Sequence, residues 1–272
     1  MNASHTMARQ LRLTHVAARF CGAVGELQLA RPDHRNAVNE EMSEDILLAC
    51  QWLDQERQVK AVVVHGAGEV FCAGLDLALL HSGTQAQLRA TVDLANQFVE
   101  RMASMKAIVV GAIHGACLGA MGIILAAACD LRYAERNTLF MLPEADFDIP
   151  AMHTGLRFLA QDLGPSETLK AALLQTPLTA QALHDAAFLN GLCEPGQALA
   201  TGRDIAADLA AKPALLLQKS KQHLATSKHE LIRATERYHQ RFMEQARSVL
   251  NDRQFAQARA VRLQQRRLRA SR

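Results

Sequence analysis

The stretch Ala107–Cys129, AIVVGAIHGACLGAMGIILAAAC, decides how this chain is read. It carries no formally charged side chain between Lys106 and Asp130, and glycines punctuate it at Gly111, Gly115, Gly119 and Gly122. About 20 mainly apolar residues can cross a bilayer, and glycines spaced closely resemble a small-residue helix contact, so a membrane span is one reading. Against it stand His114 near the middle, four glycines that weaken a helix, and the lack of a second run of this length. The other reading divides the run: Ile108, Val109 and Val110 begin a strand, Gly111 to Gly119 turn, and Ile123 to Cys129 form a buried helix. On that reading the run is a buried strand, loop and helix at the heart of a soluble domain.

Outward from this run the composition is that of a globular protein. The 272 residues are 49% hydrophobic and 21% charged, enough for one large domain with an ample core. A net charge of +3, with no interleaving of aromatic and basic residues, gives no argument for nucleic acid. Arginines crowd the end of the chain from Arg259 to Arg272, as in a solvated helix end. Six cysteines without a CxxC pair read as reduced thiols of a cytoplasmic protein, not as a disulfide frame or a metal site. The first ten residues, MNASHTMARQ, have no apolar signal core.

Leu11–Ala17 and Gly25–Leu29 read as a strand pair, followed by the polar turn RPDHRN and a helix from about Asn39 to Leu53 capped by Asn39. Val59–His65 is a buried strand, GAGEVFCAGLD a loop, and Gln85–Met105 an amphipathic helix. The repeated order of strand, loop and helix predicts an α/β domain with parallel or near-parallel pairing. After Leu163 the segments Pro165–Gln175, Thr179–Leu189, Ala198–Ala211 and Pro213–Leu250 read as helices, with little strand propensity between them.

Three glycine-containing loops follow strands, where α/β folds present ligands. Neither GxGxxG nor GxxxxGK[ST] occurs, which removes the main support for a nucleotide fold. The loops offer backbone amides instead: Ala73-Gly74-Leu75 leads toward one helix and Gly119-Ala120-Met121 stands at the start of another. Such amides can stabilise a developing oxyanion. The segment Phe140-Met141-Leu142-Pro143-Glu144 adds a carboxylate after an apolar approach, with Asp146, Asp148 and His153 close behind. A carboxyl group in apolar surroundings can serve as general acid or base, although Glu after Pro is also a common helix start.

Taken in order and with their spacings, RPDHRNAV, VKAVVVHGAGEVFCAGLD, GACLGAMGIILAAACDLRYA and FMLPEADF resemble the enoyl-CoA hydratase/isomerase, or crotonase, family. The resemblance is clear from about Leu11 to Gly196. It implies a crotonase-like α/β spiral of ββα units over residues 1–197 and a helical trimerisation region over 198–272, assembled as a homotrimer or dimer of trimers. It implies an acyl-CoA thioester as substrate, no metal and no further cofactor. By the resemblance, the thioester oxygen is held by the amide of Leu75 and by a second amide in the Gly119 loop. Counting forward from Gly115 makes the second donor Ala120; counting back from Asp130 makes it Met121. Glu144 matches one of the two glutamates of the family's hydratases, whereas the other position holds Ile123 or Ile124, depending on the count.

Losing one carboxylate argues against ordinary water addition, while moving a proton between carbons of an enoyl thioester needs one base. The implied reaction is therefore enoyl-CoA isomerisation or hydration through Glu144. Decarboxylation or carbon–carbon cleavage through the same enolate, and a non-catalytic acyl-CoA-binding role, are the alternatives. His153, Asp76, Asp146 and Asp148 could replace the missing acid, with Asp76 also readable as a turn-fixing residue. His114 and Cys117 read as lining residues, since neither has an evident orienting group. The resemblance places His34, Arg35, Ala37, Ala73 and Asp76 beside the CoA portion, and Lys219 near it or on the surface.

Overall fold

The computed structural model describes residues 8–81, 84–147, 151–224 and 228–234. In chain order its elements are β1 (Arg9–Arg12), β2 (Val16–Cys21), β3 (Val24–Leu29), α1 (Glu40–Gln55), β4 (Ala61–Gly66), α2 (Leu77–His81), α3 (Gln85–Ser104), β5 (Ile108–Ile113), β6 (Ala116–Leu118), α4 (Gly119–Ala128), β7 (Leu131–Glu135), β8 (Leu139–Met141), α5 (His153–Leu163), α6 (Pro165–Leu174), β9 (Leu178–Thr179), α7 (Ala180–Asp185), β10 (Gly191–Cys193) and α8 (Ala198–Ala210). Residues 214–224 and 228–234 are helical as well.

The larger sheet runs in the order β1-β2-β3-β4-β5-β7-β10, antiparallel across its first three strands and parallel thereafter. Parallel strands need both faces covered, and β4 and β5 are buried at every position. Val62 and Val64 face the main core, into which α1 sends Met42, Ile46, Ala49 and Leu53 at helical spacing. Burying one such large side chain contributes about 1.5–3 kcal/mol. Asn39 caps α1 as its position suggests: its side-chain oxygen accepts from the Met42 amide at 2.9 Å. The alternate residues Ala61, Val63 and Ala112 meet Ala198 and Ala206, so α8 covers the second face with small side chains.

A smaller sheet, β6-β8-β9, positions the site. β6 and β8 are parallel with Leu118 opposite Met141, and two bridges, Cys72 to Cys117 and Val38 to Leu75, extend the ladder to two more segments. Five segments thus lie side by side, and three loops leave them after Cys72, Leu118 and Met141.

The structure corrects several boundaries. Three N-terminal strands replace the strand pair: a turn in which the Leu13 amide donates to the Val16 carbonyl at 2.9 Å splits the expected Leu11–Ala17 strand into β1 and β2, and Gly22, at positive φ, turns β2 back on β3. β5 runs through Gly111 to Ile113 instead of turning at Gly111; a Cβ on that glycine would stand 3.1 Å from Cys129 Sγ, so its bareness serves packing. α4 begins at Gly119, four residues before the expected start at Ile123. The region after Leu163 also holds β9 and β10, each too short to show alternation in sequence. Among the described residues no helix is long and apolar enough to cross a membrane, which overturns that reading of the uncharged run.

Candidate active site

Each functional segment leaves the small sheet at the same end. Beyond Leu118 the chain enters α4 through Gly119 and Ala120, and beyond Met141 it passes Leu142 and Pro143 to Glu144. The paired register brings the two exits together, and Glu144 Oε1 accepts a hydrogen bond from the Ala120 amide. Gly119, at φ +67°, leaves room for this contact: a Cβ there would lie 3.1 Å from Glu144 Oε1. The apolar helix has no side-chain N-cap of its own, so the Glu144 carboxyl satisfies one of its free amides.

The third exit follows Cys72. Gly74, at φ +96°, packs so closely on the Leu118 carbonyl that a Cβ would sit 2.7 Å from it, a position only glycine fills without strain. The Val38 amide donates to the Gly74 carbonyl and the Asp76 amide to the Val38 carbonyl, at 2.8 and 2.9 Å. Successive backbone groups alternate along a strand, so the Leu75 N–H points away from Val38. Among the described residues it donates no hydrogen bond. Leu75 and Ala120 thus present backbone donors from two loops in van der Waals contact.

Burial pushes the Glu144 carboxyl up from its ordinary value, against the opposing pull of the Ala120 amide and its own backbone. Its Oε2 is buried without a hydrogen-bond partner among the described residues. Such a group can exchange a proton with a neighbour in a dry site. On the far side, Gly155 of α5 packs against Ala120, where a Cβ would approach the Ala120 Cβ to 2.8 Å. His153 begins α5, half-buried, with its pKa lowered by burial and by Arg157. Asp146 lies in the single turn Glu144–Phe147, its amide donating to the Pro143 carbonyl at 3.0 Å, and Asp148 lies outside the described residues.

His34 and Arg35 are exposed on the turn, while Ala37 is buried beneath it. The Ala73 amide donates to the Arg35 carbonyl at 2.9 Å, which joins that turn to the Leu75 loop. Asp76 binds Arg31 at 2.5 Å and accepts from the Ala78 amide at 2.8 Å. Burial raises its pKa, but the Ala78 amide and Arg31 outweigh that and hold it below the ordinary carboxylate value. His114 reaches the Gly68 carbonyl at 3.1 Å. Cys117 is buried with its thiol pushed well up by desolvation, and Cys72 is pushed up to about 12 by the same cause, so neither is a ready nucleophile. Lys219 is on the surface beside Gln222.

Sequence reasoning missed the groups that frame these loops. Asn36, fully buried in a left-handed conformation, donates to the Ala67 and Val70 carbonyls and accepts from the Arg31 amide. Its signal was present, since Asn in a polar turn is the residue most tolerant of that conformation. Lys221 is buried and pairs with Asp130 at 2.7 Å, while Lys228 donates to the Ala128 and Cys129 carbonyls at the end of α4. Nothing in the local sequence separates Lys221 from its exposed neighbour Lys219.

Comparison with known proteins agrees with this fold. Residues 19–259 match the family model described as enoyl-CoA hydratase/isomerase. The chain is 30% identical over 185 residues to a probable peroxisomal enoyl-CoA hydratase 1 of Arabidopsis thaliana, covering 68% of each chain. It is 33% identical over 163 residues to a peroxisomal Delta(3,5)-Delta(2,4)-dienoyl-CoA isomerase of the same plant, covering 56% of this chain and 58% of that one. An enoyl-CoA hydratase/isomerase crystal structure from Mycobacterium paratuberculosis superposes with a TM-score of 0.79 at 23% identity, covering 91% of this chain and 98% of the other.

Proposed function

Because this chain belongs to the enoyl-CoA hydratase/isomerase family, we propose that it moves a proton along an enoyl-CoA thioester, with Glu144 as the single acid/base and the Leu75 and Ala120 amides as the oxyanion hole. The observation that carries this reading is the Glu144 oxygen resting on the Ala120 amide beside the Leu75 amide, which donates to no group among the described residues. An oxygen atom already sits where a thioester oxygen would be received. On binding, the thioester carbonyl takes over the Ala120 donor, and Glu144 is released toward the substrate carbon. Each amide then stabilises the enolate oxygen by about 3 kcal/mol.

Isomerisation is favoured over hydration by what surrounds Glu144. Ala120 as donor puts Ile123 one turn further along α4, and that helix is buried and apolar throughout. A hydratase needs a second group to hold water, and this helix face offers none. Assembly with further copies is part of the same proposal: Leu169, Leu173 and Leu174 on α6 are 57%, 62% and 74% exposed, and no element among the described residues covers them. Light scattering on the purified chain tests that point, with a monomer as the contrary result.

The activity test is a panel of cis-3-enoyl, trans-2-enoyl and malonyl-type CoA esters. Shift of the double bond without water uptake is the expected product pattern. Decarboxylation, or tight binding without turnover across the panel, rejects the isomerase reading. Full activity of Glu144→Gln rejects the role of Glu144.

A further inference from the structure

Directly behind the Leu75 donor stands a largely buried ion pair, Arg31 with Asp76. Arg31 Nη1 donates to Asp76 Oδ2 at 2.5 Å and to the Ala37 carbonyl at 2.9 Å, and the two side chains are only 12% and 11% exposed. Asp76 follows Leu75 in the chain, and Ala37 precedes Val38, the residue whose amide and carbonyl bracket Leu75 across the ladder. One guanidinium nitrogen therefore joins both sides of the step that aims the Leu75 N–H. The other Asp76 oxygen starts α2 by accepting from Ala78, so the peptide is tied on its C-terminal side as well.

The need for such a tie comes from Gly74. At φ +96° and without a side chain, it leaves the peptide between Gly74 and Leu75 with little rotational restraint of its own. Two ladder bonds fix its height in the sheet, and Arg31 fixes its two flanks against each other. A guanidinium fixes the two N–H directions in its plane, whereas a lysine ammonium can reach two acceptors but turns freely on a flexible stem.

We propose that Arg31 is a positioning residue for the reaction, setting the direction of the Leu75 amide through Ala37 and Asp76 without touching substrate. The proposal rests on the reading of Leu75 and Ala120 as the oxyanion hole. A displacement of about 1 Å in a catalytic group can cost about 100-fold in rate, so a tie one residue from the donor bears on turnover and not only on folding.

The test uses hexanoyl-CoA labelled with carbon-13 at the thioester carbonyl, a saturated ester that binds without proton shuffling. Infrared difference spectra of the bound ester report how strongly its carbonyl is polarised. In the parent protein, binding is expected to move the carbonyl stretch to lower frequency. Arg31→Met is expected to reduce that shift and to lower kcat on the enoyl ester the parent turns over by roughly 10- to 100-fold, with KM within a few-fold. Arg31→Lys should restore only part of both, and Asp76→Asn should reproduce the loss from the other side of the pair. If Arg31→Met does not fold, the last two variants carry the same comparison. Parent-like carbonyl frequency and kcat, with only thermal stability lowered, overturns the proposal and leaves Arg31 a structural residue. No shift in the parent itself rejects the oxyanion reading first, and with it the role of Arg31.

Discussion

The two amides at the candidate site are held by opposite constructions. Leu75 is framed by polar groups close in space: the ladder to Val38, the Arg31–Asp76 pair and the buried Asn36. Ala120 lies in the first turn of a ten-residue helix without a single polar side chain, whose ends are satisfied from elsewhere, by Glu144 at one and Lys228 at the other. A strand-borne donor needs local staples because a single peptide can rotate. A helix-borne donor moves only with its whole rod, about 15 Å long at 1.5 Å per residue, so its direction is set by packing and by what meets its dipole. The two constructions should therefore fail differently.

The largest effect belongs to the group shared by the proposed chemistry and the helix end. Glu144→Gln should lower kcat by about 10²- to 10⁴-fold, the usual weight of a positioned acid or base. A general base must be ionised to act, and burial raises the Glu144 pKa. The acid limb of the parent pH–rate profile should accordingly lie above the ordinary carboxylate range. The stability sign runs the other way. A carboxyl whose folded pKa exceeds its unfolded value binds its proton better when folded, so the fold loses stability as pH rises between the two values. Glu144→Gln should be flat across that window and more stable than the parent above it, by thermal melts at matched pH.

Next in size is the frame of the strand-borne donor. Asn36→Ala removes three hydrogen bonds from a fully buried position and leaves the Ala67 and Val70 carbonyls unpaired. A loss of about 2–4 kcal/mol is expected in urea unfolding. An unchanged midpoint would mean that the ladder alone holds the loop.

Smaller still is the far end of the helix-borne donor. Lys228→Met leaves the last α4 carbonyls without their cation, though Lys221 still neutralises Asp130. The expected cost is about 1–2 kcal/mol, with kcat changed less than for Arg31→Met. Equal loss of turnover from the two would erase the distinction between the constructions. Lys219→Ala should change neither, because among the described residues that exposed side chain reaches only Gln222; a raised KM for CoA esters would instead bring it into the binding surface.

Much of this was legible in the chain. The uncharged run, the glycine loops and the lone Glu144 carry family and fold through local chemistry: β-branched residues before a turn, amides at a helix start, a carboxylate after Pro143. The boundaries that went astray did so where packing overrides local preference, as at Gly111, kept in a strand by its approach to Cys129. Lys221 and Lys219 show the same limit. Both occupy one helical stretch, and only the neighbouring elements decide that one is buried on Asp130 while the other stays in water.

By itself, then, the sequence determined which groups could do chemistry here, because residue type and spacing along the chain set what donors and carboxylates exist. Only the tertiary structure decided how they meet. Register between β6 and β8 places Glu144 on the Ala120 amide, and the bridge between Val38 and Leu75 turns the other donor outward. Contacts between residues 24 and 37 positions apart follow from how strands pair, a property of the whole sheet that no local window of the chain contains.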